Sequence, residues 1–180
     1  MMGLPHETVA AWLARRERPA ADSDQPPFLV IDIASGAPAS AIDAAGTADS
    51  EEVETEQADD ERQFGEVSDE SLVFRLDKSA DAPYADRILI GRAPNIDISL
   101  DLLTVSRLQI SIARRDGAWV AKDLGSTNGT RVDGEILRNQ ESLVIDDGSE
   151  MRLGPDVRAL FYTSAGFAAL LEELSKSRMG

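Results

Sequence analysis

The sequence has no cysteine and a single histidine, His6, among its 180 residues. Without thiols the chain can form neither disulfides nor thiolate metal sites, and one histidine cannot make a metal cluster by itself. We therefore expect no metal site and no cofactor. The sequence also lacks a G-x-x-x-x-G-K-[ST] phosphate loop and a G-x-S-x-G nucleophile turn, so we expect a protein that is not an enzyme.

Long apolar runs and an excess of basic residues are lacking too. Residues 1–19 contain only short apolar patches cut by charges, which predicts neither a signal peptide nor a membrane helix and favours a cytoplasmic protein. Acidic residues outnumber basic ones 33 to 18, for a net charge of −15. Such a chain repels the phosphates of nucleic acid, so neither nucleic acid nor a membrane is an expected partner.

The negative charge is concentrated in one stretch. Residues 43–70 contain twelve Asp and Glu against one Arg, whereas residues 71–163 contain fourteen acidic and twelve basic residues. From residue 34 to residue 70 the chain has few large apolar side chains, too few to offset the entropy lost on ordering. We therefore predict an acidic disordered linker over residues 34–70.

The N-terminal segment, residues 1–33, contains two candidate elements. Val9, Trp12 and Leu13 share one helical face, which favours a short helix that is either docked on a partner or frayed in isolation. The β-branched run at residues 28–33 fits either an extra strand or a linear motif for another protein. The sequence does not choose between these two interpretations.

From Ser71 onward, short β-rich runs alternate with turn residues, which is typical of an antiparallel β-sandwich. Asp-Gly pairs occupy three of the turns. The strands that we predict are 72–77, 87–92, 97–100, 109–114, 118–124, 130–132, 141–145, 149–154 and 157–163.

A closing helix is predicted after the last strand. Apolar residues recur at helical spacing between Phe167 and Leu174, and Ser164 is the candidate cap. The predicted fold class is thus all-β, an antiparallel sandwich over residues 71–163 with a C-terminal helix over residues 164–180.

Predicted loops of this sandwich carry the residue types that phosphate recognition requires. They are Gly91-Arg92, Ser106-Arg107 and the Ser-Thr-Asn-Gly-Thr run at residues 126–130. A phosphate dianion is bound by guanidinium groups, hydroxyls and backbone amides that can approach it closely. Each pattern alone has an ordinary explanation, since Asn-Gly is a common hairpin turn and an arginine at a sheet edge is usually solvated.

Taken together, the segments GRAPNIDISL, VSRLQISI and WVAKDLGSTNGTRVDG, followed by LRNQESLVIDDGSEMRLG, resemble the forkhead-associated (FHA) domain. The resemblance covers about half of the chain. It implies a non-catalytic module of bacterial type that binds phosphothreonine and acts as an adaptor or regulator in Ser/Thr-kinase signalling. The implied partner is a phosphothreonine-containing protein, such as a Ser/Thr kinase or its substrate.

The resemblance also implies a role for each residue of the site. Arg92 would hold phosphate oxygens, Ser106 would donate its hydroxyl, and Arg107 would add charge at the rim. Thr127 would contact the phosphate or its peptide. Asn128 would form a hydrogen bond with the ligand backbone beside the phosphothreonine.

Supporting roles follow for three further residues. Gly91 is expected to allow the bend before the arginine, and Gly129 the turn that presents the asparagine. The family usually has histidine three residues after the motif serine, where this chain has Gln109. Because glutamine also offers a donor and an acceptor, it either preserves the loop or loosens Ser106. In the second case the protein would be a scaffold of the same fold that binds without phosphate.

Thr47 and Thr55 lie in the acidic stretch and are candidate phosphorylation sites. The arrangement is similar to certain bacterial FHA regulators, in which a phosphorylated threonine of an acidic N-terminal tail folds back into the domain. The alternative is an ordinary solvated threonine.

Overall fold

The computed structural model of the chain describes residues 4–15, 19–20, 25–35, 64–78, 84–138 and 141–179. Their strands are β1 (His6–Thr8), β2 (Phe28–Ile33), β3 (Leu72–Arg75), β4 (Arg87–Gly91), β5 (Ile98–Ser99), β6 (Ile110–Arg115), β7 (Ala118–Asp123), β8 (Thr130–Val132), β9 (Glu135–Leu137), β10 (Ser142–Ile145), β11 (Glu150–Leu153) and β12 (Val157–Tyr162). The helices are α1 (Val9–Ala14) and α2 (Ser164–Met179).

The strands form two sheets. One has seven strands in the order β1-β3-β2-β12-β11-β8-β9, and the other has five in the order β10-β7-β6-β4-β5. Neighbouring strands are antiparallel except β4 and β5, which are parallel. Side chains of both sheets pack into one apolar core, which includes Leu29 and Ile31 from β2 and Ile110 and Ile112 from β6. The predicted all-β sandwich with a C-terminal helix is confirmed.

Strand β2 lies inside the seven-stranded sheet, between β3 and β12. Leu29 and Ile31 face the core between the sheets, whereas Phe28 and Val30 face a second apolar cluster on the outer side. Since residues 28–31 are all buried, this segment is an extra strand and not a linear motif for another protein. Burial on both faces also explains why its apolar residues run without alternation.

Helices α1 and α2 cover the outer face of the seven-stranded sheet. Trp12 of α1 packs edge-on against Phe28 and Phe167, with ring centroids 5.4 Å apart in both pairs. The hydroxyl of Thr8 caps α1 by accepting a hydrogen bond from the Ala11 amide at 3.2 Å. The short predicted helix is therefore docked, because tertiary packing supplies the stability that its length cannot.

Three features differ from the expectations. Strand β9 was not predicted; it follows a tight turn in which Asp133 and Gly134 have φ of +49° and +84°. The cap of α2 is Thr163 and not Ser164, since the Thr163 hydroxyl accepts a hydrogen bond from the Gly166 amide at 3.2 Å. The seven-stranded sheet also includes β1 and β2, whereas the sandwich was predicted to begin at residue 71. The division of the chain into four parts stays a prediction.

The C-terminal end of the predicted acidic linker belongs to the folded structure. Val67 packs against the second apolar cluster, and the carbonyl of Asp69 accepts a hydrogen bond from the Ala10 amide at 3.0 Å. The remainder of the predicted linker, residues 36–63, lies outside the described residues.

Candidate functional site

An open pocket of about 450 Å³ lies where the loops after β4, β5 and β7 meet. It is lined by all five residues predicted to contact a ligand, together with neighbours from the same loops. The five are Arg92, Ser106, Arg107, Thr127 and Asn128. The structure thus brings together residues from three separate parts of the sequence.

The two arginines of the pocket are held differently. Arg92 is half-buried, and its Nε donates a hydrogen bond to the carbonyl of Val105 at 3.2 Å, which orients the guanidinium group. Arg107 is exposed at the rim. Within the described ranges neither arginine is paired with a carboxylate. The pocket therefore presents two positive charges that no described acidic side chain neutralises.

Gly91 is required by a close approach between two loops. A Cβ atom at this position would lie 2.5 Å from the carbonyl oxygen of Arg107 and 2.8 Å from that of Ser106. The loops are joined by hydrogen bonds from the Arg92 amide to the Ser106 carbonyl at 2.8 Å and from the Ala93 amide to the Arg107 carbonyl at 3.1 Å. The φ of Gly91 is not positive, so glycine is needed at this position for the space between the loops.

Gln109 is fully buried and joins the second and third loops. Its Oε1 accepts a hydrogen bond from the Ser106 amide at 2.9 Å. Its Nε2 donates to the Gly129 carbonyl at 2.9 Å and to the Thr130 hydroxyl at 3.1 Å. The glutamine thus uses both its donor and its acceptor to hold the loops in register.

The Ser106 hydroxyl oxygen accepts a hydrogen bond from the Thr127 amide at 2.9 Å. Because a hydroxyl can accept and donate at once, its proton remains available to a ligand oxygen. Asn128 Nδ2 donates to the Thr104 carbonyl at 2.8 Å. Gly129 has a φ of +75°, a conformation that favours glycine, and so permits the turn that carries Asn128.

Two residues of this network carry no signal in the sequence. The Thr104 hydroxyl donates to the buried carboxylate of Asp156 at 2.7 Å, and so ties the loop before Ser106 to the start of β12. A Cβ atom on Gly154 would lie 2.8 Å from the Thr104 carbonyl, so this contact also needs glycine. Contacts of this kind join residues far apart in the chain, so no spacing of residues in the sequence predicts them.

Asp123, at the end of β7, organises the third loop. Its carboxylate accepts hydrogen bonds from the amides of Gly125 and Ser126 and from the hydroxyls of Ser126 and Thr130, at 2.6 to 3.0 Å. Burial acts to raise the pKa of Asp123, but these hydrogen bonds outweigh it and lower the pKa below its ordinary value of 3.8. An Asp side chain that accepts from amides two and three residues later, here in the run Asp-Leu-Gly-Ser at residues 123–126, is a known turn pattern that would have pointed to this residue.

Thr47 and Thr55, the candidate phosphorylation sites, lie outside the described residues. Among the residues that are described, no His, Asp and Glu side chains group into a metal site. No helix in that part of the chain is long and apolar enough to cross a membrane.

Residues 88–154 match the family described as the FHA domain. The chain is 45% identical over 64 residues to the "Oxoglutarate dehydrogenase inhibitor" of Corynebacterium diphtheriae. The aligned stretch covers 36% of this chain and 43% of that protein. It is also 38% identical over 73 residues to the "Glycogen accumulation regulator GarA" of Mycolicibacterium smegmatis, and this alignment covers 41% of this chain and 44% of that protein. The chain thus spans less than half the length of these curated relatives.

Among solved structures, the fold is similar to the solution structure of the FHA domain of an Arabidopsis thaliana hypothetical protein. The match has a TM-score of 0.50 and 17% sequence identity, and covers 83% of this chain and 94% of that one. At 17% identity this structural similarity supports the fold alone. Since the matched residues 88–154 also include every residue that lines the pocket, this part of the chain is an FHA domain.

Proposed function

We propose that this chain is a phosphothreonine-binding regulator or adaptor in Ser/Thr-kinase signalling, and that it is not an enzyme. The observation that carries the proposal is the pocket in which Arg92, Ser106 and Arg107 converge with no described carboxylate paired to either arginine. Guanidinium and hydroxyl donors that lack acidic partners suit a phosphate dianion. Asn128 and Thr127 stand at the pocket wall, where the backbone of a bound peptide would pass.

The expected affinity is modest. A charge-assisted hydrogen bond contributes about 1.5–3 kcal/mol, and a few of them must offset association costs of about 4–15 kcal/mol. Without the phosphate most of this contribution is lost, so binding should depend on phosphorylation. Phosphothreonine differs from phosphoserine by one methyl group, which is worth at most ~1–3 kcal/mol in a pocket, so about tenfold selectivity is expected.

The names of the curated relatives support a regulatory role. One is named an inhibitor of oxoglutarate dehydrogenase and the other a regulator of glycogen accumulation, and neither name is that of an enzyme. We infer that the partner of this chain is a phosphothreonine-containing protein, a Ser/Thr kinase or its substrate. A cytoplasmic location follows from such partners.

The test compares two arginine variants. A phosphothreonine peptide is first selected from a library with the wild-type chain, and its affinity is then measured by calorimetry. Arg92→Ala should weaken binding at least tenfold, because it removes a charged donor to the phosphate. The control Arg114→Ala removes an exposed arginine outside the pocket and should leave affinity unchanged. Equal affinity of Arg92→Ala and wild type would overturn the proposal.

The alternative of a phosphate-independent scaffold rests on the acidic linker and on Gln109 in place of histidine. Its hydrogen bonds to the Ser106 amide and the Gly129 carbonyl hold the two loops together. This arrangement favours phosphate-dependent binding, because the support that the loops need is present.

One observation supports a self-inhibited form, in which a phosphorylated threonine of the acidic N-terminal region occupies the pocket of the same molecule. Phe64 is the first described residue after residues 36–63, and its ring centroid lies 4.4 Å from the guanidinium of Arg152. The strand of Arg152 is followed by Gly154, which adjoins the pocket residues Thr104 and Asn128. Thr55 precedes Phe64 by nine residues, and a flexible coil of that length would span about 15–18 Å. A phosphorylated Thr55 would then compete in the same molecule at an effective concentration near ~1 mM.

Phosphorylating the chain tests this form. The affinity for an external phosphothreonine peptide should fall in the wild type, and it should not fall in Thr55→Ala. If phosphorylation at Thr55 leaves the affinity unchanged, the tail does not occupy the pocket.

A further inference from the structure

A row of three arginines crosses the outer face of the seven-stranded sheet. Arg131 of β8 lies directly opposite Arg152 of β11, which in turn lies opposite Arg158 of β12. Met151 points into the core between the sheets, so its neighbour in the row faces outward. The row extends to Ile136 of β9. Neighbouring strands are ~4.8 Å apart, and like charges directly opposite each other destabilise a sheet, so three guanidinium groups in register need anionic partners.

Two carboxylates of the same sheet pair within the row. Asp32 of β2 lies opposite Arg158, whose Nη2 donates to its Oδ2 at 2.6 Å, and the arginine side chain is only 9% exposed. Arg152 Nε donates to Glu150 Oε1 at 2.5 Å, and 27% of this arginine side chain is exposed. Three guanidinium groups and two carboxylates sum to a charge of +1. The row is thus a basic strip on a chain whose net charge is −15.

The connection between β2 and β3 begins and ends beside this row. Ala34 follows β2, and its amide donates to the carbonyl of Asp156, the residue before β12, at 2.8 Å. Where the chain is described again, the ring centroid of Phe64 lies 4.4 Å from the guanidinium of Arg152 and 5.5 Å from that of Arg158. The chain therefore leaves the sheet next to the row and returns on top of two of its arginines.

The composition of this connection complements the row. Residues 36–63, which lie outside the described residues, contain nine acidic residues and one Arg. Seven of the nine fall within residues 51–61, the last of them three residues before Phe64. An extended chain advances ~3.3 Å per residue, and the row spans ~10 Å across its three strands. These acidic residues can thus reach every arginine of the row.

We propose that the arginine row on the outer face of the sheet binds the acidic residues 51–61 of the same chain. The planar guanidinium group suits this role, because it pairs with carboxylates in a fork. The interaction needs carboxylates only, and so differs from the self-inhibited form, in which a phosphorylated threonine occupies the pocket. Docking on the sheet would keep this negative charge out of the pocket, where Arg92 and Arg107 then remain available to a phosphate ligand.

The test compares amide NMR spectra of the full chain, because exposed ion pairs add little to stability and contact itself must be measured. In a neutral variant the seven acidic residues of 51–61 are replaced, Glu by Gln and Asp by Asn. The amide signals of Arg131 and Ile136 should shift relative to wild type. Those of Val120 and Val144, on the outer face of the five-stranded sheet, should not. Salt at about 1 M, where the screening length is only ~3 Å, should largely abolish the difference.

A second pair of variants tests the row itself. In Arg131→Gln, the effect of neutralising residues 51–61 on the Ile136 signal should fall about twofold or more, because the two changes act on one interaction. The matched control is Arg114→Gln, which removes an exposed arginine from the five-stranded sheet and should leave the effect unchanged. An effect that is equal in the two arginine variants would contradict the proposal.

Other results would also overturn it. Shifts confined to Arg107 and Thr127 would place the acidic residues in the pocket, and identical spectra of the wild type and the neutral variant would show that no docking occurs. Differences that fade on dilution would show a contact between two copies of the chain. None of these results bears on the proposed function, since every spectrum is recorded without a phosphopeptide.

Discussion

Gln109 is a buried residue whose side chain bridges the two loops that hold Ser106 and Gly129. In Gln109→Ala the Ser106 amide and the Gly129 carbonyl would lose their partners away from water, which costs about 1–3 kcal/mol. We expect lower stability in urea denaturation and weaker phosphothreonine-peptide binding in calorimetry, since Ser106 would no longer be held. The matched control is Gln25→Ala, on the surface. A Gln109→Ala protein with wild-type stability and affinity would show that the bridge has no role.

Gly91 allows the backbone of the first loop to contact the second. Alanine would place its Cβ 2.5 Å from the Arg107 carbonyl oxygen, so one loop must move. Overpacking of this kind costs about 1–3 kcal/mol, and the movement would displace Arg107 from the pocket. Gly91→Ala should therefore lower both the thermal midpoint and the peptide affinity. In the control, Gly65→Ala, the added Cβ has no atom within 4 Å, and little change is expected. Equal behaviour of the two variants would contradict this account.

The pocket residues could be predicted to different degrees. Arg92, Ser106 and Asn128 follow from short motifs in a familiar order, because each sits in a loop whose local sequence is distinctive. Thr104 and Asp156 could not be predicted, since their hydrogen bond joins positions 52 residues apart and depends on how the sheets pack.

At the scale of the element, the loop after β7 is built around the carboxylate of Asp123, which accepts four hydrogen bonds. The Asp123→Asn side chain has nearly the same shape as the native one but carries no charge. The amide and hydroxyl donors of the loop would then face a side-chain amide, which accepts hydrogen bonds through one oxygen only. Since hydrogen bonds to charged groups contribute about 1.5–3 kcal/mol each, we expect the variant to be destabilised by a few kcal/mol at neutral pH.

The pH dependence has a definite sign. The pKa of Asp123 is lowered in the folded chain from its ordinary value of 3.8, so its stabilising contribution is complete above that value and is lost as the pH falls through the folded pKa. The difference in unfolding free energy between wild type and Asp123→Asn should be constant from about pH 5 to 7 and shrink below about pH 4. A difference that grows on acidification would contradict the assignment.

Strand β2 shows where prediction of elements reaches its limit. Its run Phe-Leu-Val-Ile is apolar at every position because both faces are covered, by the sandwich core and by the cluster under α1 and α2. Without alternation, and with a long stretch of sequence before its partner β3, the strand could not be placed from sequence alone. The strands from β3 to β8 alternate locally or are bounded by clear turns, and they were predicted to within two residues.

At the scale of the whole molecule, the folded unit is larger than the residues that match the FHA family. A fragment of residues 84–180 lacks β1, α1, β2 and β3. It would lose the buried side chains of residues 28–31 and would expose strand β12, which pairs with β2 in the full chain. Full burial of each of these side chains is worth about 1.5–3 kcal/mol, so their sum rivals the typical 5–15 kcal/mol of a whole domain. We expect the fragment to show no cooperative thermal unfolding.

The control for this truncation is the full chain without residues 40–60. Residues 40–60 belong to the predicted acidic linker, and shortening such a linker should change the free energy of folding only slightly, so this variant should unfold cooperatively near the wild-type midpoint. A fragment of residues 84–180 that unfolds as cooperatively as the full chain would show that β2 is dispensable.

We propose that the pocket between the three loops binds phosphothreonine. The most direct measurement is a calorimetric titration of the wild-type chain with one peptide in three forms, carrying phosphothreonine, phosphoserine or unmodified threonine. We predict measurable binding of the phosphothreonine form, about tenfold weaker binding of the phosphoserine form, and no measurable binding of the unmodified form. Equal affinity for the phosphorylated and the unmodified peptide would contradict the account.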